Sequence, residues 1–179
     1  MRFIAPPFLL YSLLYVAIPT LAIFADEAYK IDFQHALLGT PKSQNTFFHA
    51  PSAASKASLL YTLSEKAILG AINPKDGAIV WRQDLADAGN RSTKSFLKAG
   101  DKANVIISGI GDKVRAWDAA DGRLVWSWQA TGEIHGLEIL DLPGASKAVA
   151  VLSGEVDSLT ITSLDNALGT VEWLGTHKR

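Results

Sequence analysis

The side chains best suited to chemistry are few and scattered along this sequence. Its histidines are His35, His49, His135 and His177, and no two stand at the i, i+4 spacing that lets a helix aim two imidazoles at one metal ion. Glu133-Ile-His135 would place two polar groups on one face of a strand, a candidate ligand pair, although a solvated strand edge explains the pattern more simply. Asp112, Asp118 and Asp121 cluster, yet two of them fall where turns are expected, an ordinary place for aspartate. Gly109-Ile-Gly111 suggests a dinucleotide loop but lacks the third glycine and the following helix that such a loop needs. There is no G-x-S-x-G elbow, and the absence of cysteine excludes disulfides, a thiolate nucleophile and a cysteine-ligated metal. The expectation is a chain with no catalytic residues, no metal site and no bound cofactor.

One modification is expected. Asn90-Arg91-Ser92 is the only N-x-S/T sequon with a permissible middle residue, in a polar, glycine-containing stretch that reads as a surface loop. It gains weight from the N-terminus. After Arg2 the chain carries no charge from Phe3 to Phe24, with an apolar core over Phe8 to Ile18 and small residues at Ala22 and Ala25. That is the pattern of a signal peptide over residues 1–25. Cleavage after Ala22, with Thr20 at the −3 position, fits the small-residue rule slightly better than cleavage after Ala25. The run is also long enough for an uncleaved anchor, but Pro6, Pro7 and Pro19 interrupt it. Either way, residues 26–179 are expected in the lumen of the secretory pathway.

The elements behind these residues emerge from an internal repeat. Ala71-Ile-Asn-Pro-Lys-Asp-Gly-Ala-Ile-Val-Trp81, Ala116-Trp-Asp-Ala-Ala-Asp-Gly-Arg-Leu-Val-Trp126 and Ser163-Leu-Asp-Asn-Ala-Leu-Gly-Thr-Val-Glu-Trp173 align. Each holds Gly-x-x-x-Trp, at Gly77/Trp81, Gly122/Trp126 and Gly169/Trp173, and each has Asn or Asp four residues before the glycine. The tryptophans stand 45 and 47 residues apart, the size of one four-stranded propeller blade. In the second unit, four runs rich in Val, Ile, Leu and aromatics predict strands at 93–98, 104–108, 113–118 and 123–128. Asp118-Ala-Ala-Asp-Gly122 predicts a hairpin turn in which Asp118 bonds its own downstream backbone and Gly122 takes positive φ; Pro74 presets the equivalent turn in the first unit. The tryptophans, all on fourth strands, are expected to fill the gaps between neighbouring blades.

The fold class is therefore all-β: a partial β-propeller of about three four-stranded blades plus an N-terminal orphan strand. That strand, Tyr29 to Gly39, precedes the first complete unit at Asn45 and resembles a fourth strand, with Phe33-Gln34 where Trp81-Arg82 stands and Leu37 where Leu85 stands. Propellers typically close with about four to eight blades, and a leading strand of this kind commonly completes the last one. Residues 26–179 are thus expected to be the N-terminal part of a longer propeller, with poor solubility or self-association when expressed alone. The composition is that of a globular chain: 48% hydrophobic, 20% charged, 17 basic against 18 acidic residues. Without a basic stripe, no nucleic-acid partner is expected.

The repeat form A-x-[DN]-x-x-x-G-x-x-x-W resembles that of pyrroloquinoline-quinone enzymes and their non-catalytic relatives. The resemblance implies a propeller; the enzymes hold the quinone with calcium and, in many members, a vicinal cysteine pair. This sequence offers no cysteine and no identifiable calcium ligands, which weighs against a secreted dehydrogenase. A closer resemblance, over Asp26 to Arg179, is to the family of ER membrane protein complex subunit 1. It rests on the signal sequence, on the opening strand with Asp32, Phe33 and Gly39, and on Ala67-Ile-Leu-Gly-Ala-Ile-Asn73 running into Gly77-Ala-Ile-Val-Trp-Arg82. The family usually has tryptophan where this chain has Phe33. The resemblance implies a non-catalytic lumenal scaffold whose partners are the other subunits of that complex and, indirectly, client membrane proteins being inserted and folded. It carries over no catalytic residue, and the family's C-terminal membrane anchor is not expected within this chain. The lumenal sensor of an unfolded-protein-response kinase, which is similar to a propeller as well, is the remaining alternative.

Overall fold

The computed structural model describes residues 37–52, 55, 57–86, 94–100, 104–141, 147–155 and 157–178. The chain divides into Met1–Gln34 and His35–Arg179, and the description below concerns the second unit. It contains three four-stranded antiparallel sheets, each made by consecutive strands in simple up-and-down order. The first is β1 (Pro41–His49), β2 (Leu59–Ser64), β3 (Ile68–Ile72) and β4 (Ile79–Asp84). The second is β5 (Ser95–Ala99), β6 (Val105–Ile110), β7 (Lys113–Asp118) and β8 (Leu124–Gln129). The third is β9 (Glu133–Leu140), β10 (Ala148–Glu155), β11 (Ser158–Asp165) and β12 (Val171–Lys178). First strands of successive sheets lie side by side, β1 with β5 and β5 with β9, while the fourth strands lie at the far edge of each sheet. The sheets are the blades of a partial β-propeller, and no helix occurs among the described residues.

The second blade follows its sequence closely, with β7 at Lys113–Asp118 as predicted and the other three strands shifted by one or two residues. The first blade starts earlier than Asn45. Pro41 to Gln44 is polar and carries no alternating apolar signal, yet Pro41 already pairs with Ser64, and the register slips before Thr46 meets Thr62. The expected orphan strand lies mostly outside the described residues. Its last residues form a turn, with Gly39 at φ +75°, in place of an extended strand.

Each blade closes its third hairpin in the same way. The registers of β3–β4, β7–β8 and β11–β12 all slip one pair before the turn, at Ala71/Ile72, Ala116/Trp117 and Ser163/Leu164. The five-residue loop is then fixed by its own side chain. Asn73, Asp118 and Asp165 each accept, through Oδ1, the amide two residues on, at 3.0, 2.8 and 2.9 Å. Gly77, Gly122 and Gly169 return their amides to the carbonyls of those residues at 2.8, 2.9 and 2.9 Å, with φ of +70°, +73° and +69°. An L-residue pays roughly 1–2 kcal/mol in that left-handed region, which is why glycine ends each loop.

Two apolar layers hold the blades together. Between the first and second lie Tyr61, Leu63, Leu69 and Trp81 against Leu97, Ile106 and Trp117. Between the second and third lie Ile107, Val114 and Trp126 against Ile134, Leu137, Val149 and Val151. These aliphatic and aromatic residues alternate along their strands with partners on the opposite face, so the middle blade is apolar on both sides.

Candidate functional site

The repeat residues come together at the seams between blades. The Trp81 indole, on β4, donates from Nε1 to the Ala119 carbonyl in the turn of the next blade, at 3.0 Å. The Trp126 indole, on β8, does the same to the Asn166 carbonyl, at 3.1 Å. Each ring lies against the following turn's glycine. A Cβ on Gly122 would sit 2.5 Å from Trp81 Cδ2, and one on Gly169 would sit 2.5 Å from Trp126 Cδ2. Both rings are 8% exposed. Burying an indole removes about 200 Å² of mostly apolar surface, an upper limit of about 5 kcal/mol, whereas the hydrogen bond contributes about 1 kcal/mol net. Burial drives the joint and the hydrogen bond sets its register.

Trp173 departs from the expected packing. It occupies the equivalent place on β12 but is 57% exposed, and its ring lies over Gly175 of its own strand. The physical reason is local: the face of the third blade that carries it has no turn glycine packed upon it among the described residues, so the ring folds back. Ile161 shows the same contrast, 49% exposed where its equivalents Leu69 and Val114 are fully buried. Leu152, Leu159, Ile161, Trp173, Gly175, Thr176 and His177 line a shallow groove of about 360 Å³ on that face.

Several contacts at the seams were not visible in the sequence. The Tyr61 hydroxyl donates to the same Ala119 carbonyl at 2.8 Å, so two donors from the first blade, 58 and 38 residues away in sequence, converge on one acceptor. Burial pushes the Tyr61 phenol up to about 12, and the nearby Asp118 charge adds to the effect. Nearer the first strands, buried Asn45 donates from Nδ2 to the Ser95 carbonyl and hydroxyl, both at 2.9 Å. Lys98 grips both carboxylate oxygens of Glu138 at 2.7 and 2.8 Å across the second seam. No local signal marks these pairs, because each partner alternates along its own strand like any other residue.

The residues singled out for chemistry have structural partners. His135 is the extra residue of a β-bulge, since Leu152 pairs with Gly136 and Ser153 with Ile134. Its Nδ1 lies 3.2 Å from the Lys94 ammonium, which can only donate, so Nε2 carries the proton and donates to the Gly154 carbonyl at 3.0 Å. Glu133 and His135 do face one cavity of about 820 Å³, together with Glu155 and Asp157. No three acidic or histidine side chains among the described residues are close enough to hold a metal ion. Asp112 accepts the Gln129 amide at 2.9 Å, and Asp121 accepts the Arg123 amide at 2.9 Å. Gly109 lies within β6 and Gly111 in a hairpin turn at φ +61°, leading into β7 where a dinucleotide loop would lead into a helix. His49 lies beside Tyr61, and His177 is exposed on β12. Asn90 and His35 lie outside the described residues.

Comparison with known proteins agrees with the blade geometry. Residues 22–178 match the family described as the EMC1 N-terminal beta-propeller domain. The chain belongs to that family. Curated relatives named ER membrane protein complex subunit 1 include one from Gallus gallus, 28% identical over 77% of this chain. Another, from Schizosaccharomyces pombe, is 30% identical over 58% of it. The chain spans 14% of the first relative and 10% of the second, so it corresponds to a small part of these proteins. Among solved structures, the computationally designed Ika8 protein superposes with a TM-score of 0.51 at 18% identity, covering 77% of this chain and 39% of that one. At that identity the likeness concerns the fold alone. Within the EMC1 N-terminal propeller family, the seams described above are what this chain's repeat residues build.

Proposed function

We propose that this chain is a non-catalytic scaffold on the lumenal side of the ER membrane protein complex, where it supports insertion and folding of transmembrane proteins. The observation that carries the proposal is the family match over residues 22–178, with relatives named as subunit 1 of that complex. The seams are consistent with it, because the repeat tryptophans and turn glycines are engaged in packing blade on blade. In this reading residues 1–25 are a signal peptide, residues 26–179 are the N-terminal part of the lumenal propeller, and Asn90 carries a glycan. Its direct partners are the other subunits, and client membrane proteins are reached through them.

The test is affinity purification of the tagged, full-length protein from detergent-solubilised ER membranes, followed by mass spectrometry. Co-recovery of other subunits of the complex, in a form protected from protease in sealed microsomes, is the expected result. A protein that runs alone, or is cut by protease added outside the vesicles, overturns the proposal. Asn90→Gln should abolish any endoglycosidase-sensitive mobility shift.

A further inference from the structure

The two seams differ in how their buried polar groups are satisfied. In the first, the Trp117 indole donates to the Ser108 hydroxyl at 2.8 Å, Tyr61 and Trp81 share the Ala119 carbonyl, and Asn45 holds Ser95. In the second, Ser153 and Thr162 are each 1% exposed, and their hydroxyls reach no hydrogen-bond partner among the described residues. A buried hydroxyl left dry and unpaired weakens folding roughly tenfold. We propose that the second seam binds an ordered water molecule between Ser153 and Thr162.

The strand register brings the two hydroxyls together. Ser153 pairs with Thr160 and Val151 with Thr162, so Ser153 and Thr162 are diagonal neighbours on β10 and β11. Both face the second blade, because they alternate in step with Val149, Val151 and Leu164 of that seam. The Cβ atoms of diagonal neighbours lie somewhat less than about 7–8 Å apart. One water about 2.8 Å from each hydroxyl oxygen bridges up to about 5.6 Å, enough to join the pair. Thr160, directly opposite Ser153, shows the same face, and its hydroxyl makes a long 3.4 Å contact with that of Thr176. It is placed to be the third partner, and a buried water typically makes about three hydrogen bonds. Side-chain size agrees. Aligned on Asp118 and Asp165, the positions of Trp117, Arg115 and Ile110 at the first seam hold Leu164, Thr162 and Ser153 at the second. Across the seam, Leu63 and Leu85 of the first blade become Gly109 and Ala130 of the second. Every one of these replacements is smaller. Leu137 takes up part of the difference, since a Cβ on Gly109 would stand 3.0 Å from its Cδ1. On the third blade the reduction falls at the hydroxyl-bearing positions themselves, where a water gains hydrogen bonds that an apolar side chain could not make.

The experiment joins a high-resolution crystal structure of the whole mature chain to urea unfolding of its variants, with far-UV circular dichroism as the check on folding. The expected density is one water within about 3 Å of both the Ser153 and Thr162 hydroxyl oxygens. Valine keeps the shape of threonine without its hydroxyl, so Thr162→Val takes one ligand from the water and should raise the unfolding equilibrium constant about fivefold. A dry, unpaired hydroxyl gives the opposite sign, because valine then removes a buried polar group that nothing satisfies. Ser153→Ala should destabilise as well. Combined with Thr162→Val it should cost less than the product of the two separate effects, because the water is lost once. A seam with no water between the two hydroxyls, or a Thr162→Val chain as stable as the wild type or more so, would overturn the proposal.

Discussion

Replacing Gly122 by alanine tests the seam most directly. The new Cβ would sit 2.5, 2.6 and 2.9 Å from Cδ2, Cε3 and Cγ of Trp81, well inside contact distance, at a residue whose φ is +73°. The strain of a left-handed alanine costs about 1–2 kcal/mol, and displacing a packed ring costs about 1–3 kcal/mol more. The sum is about 2–5 kcal/mol. Gly39→Ala is the control, because its φ is +75° but its Cβ would find only ordinary contacts, 3.4 Å or more from Ser64 and Lys66. It should cost the strain alone. In urea, with a slope of about 2 kcal/mol per molar, Gly122→Ala should lower the unfolding midpoint by about 1–2.5 M and Gly39→Ala by about 0.5–1 M. In a Trp81→Leu background, where the ring is gone, Gly122→Ala should fall back to the cost of Gly39→Ala. Equal costs for Gly122→Ala and Gly39→Ala in the wild-type background would refute the role given to the indole.

Three further outcomes are expected. Tyr61→Phe and Trp81→Phe each leave the Ala119 carbonyl one donor, so together they should cost about 1–3 kcal/mol more than the sum of their separate effects, measured as a coupling energy in denaturant unfolding. The Tyr61 phenol titrates from an ordinary 10.0 up to about 12 in the folded chain, so folding binds its proton more tightly; its contribution is whole below pH 10 and is lost as pH rises to 12. Thermal melts over that window should therefore fall more steeply for the wild type than for Tyr61→Phe. Asp165→Ala, which removes the acceptor of the Ala167 and Leu168 amides, should cost about 1 kcal/mol, while Glu138→Gln, at an exposed pair with Lys98, should cost less than about 1 kcal/mol and less still in high salt.

The sequence disclosed those parts of the fold that are local. A loop that must turn on an Asx side chain and a glycine with positive φ leaves a fixed spacing, so Asn73/Gly77, Asp118/Gly122 and Asp165/Gly169 marked their hairpins, and the tryptophan four residues on marked the fourth strand. What stayed hidden depends on the relation between blades. Nothing near Tyr61 announces that its hydroxyl will reach Ala119, and nothing near Lys98 announces Glu138. The bulge at His135 also escaped, because one inserted residue leaves no compositional trace. Trp173 reads like Trp81 and Trp126 because its burial is decided by what packs on its blade and is not encoded in its own repeat.

The joints between blades have a direction. A ring on the outermost strand reaches forward, and a small residue at the next loop receives it, so no blade offers the same feature on both sides. A stack assembled this way has a leading end and a trailing end. One whole unit could be copied, lost or exchanged between Trp81 and Trp126 with every remaining joint still matched, provided the cut falls in register with the repeat. Lengthening by duplication then needs no new interface, and a break out of register would spoil two joints at once.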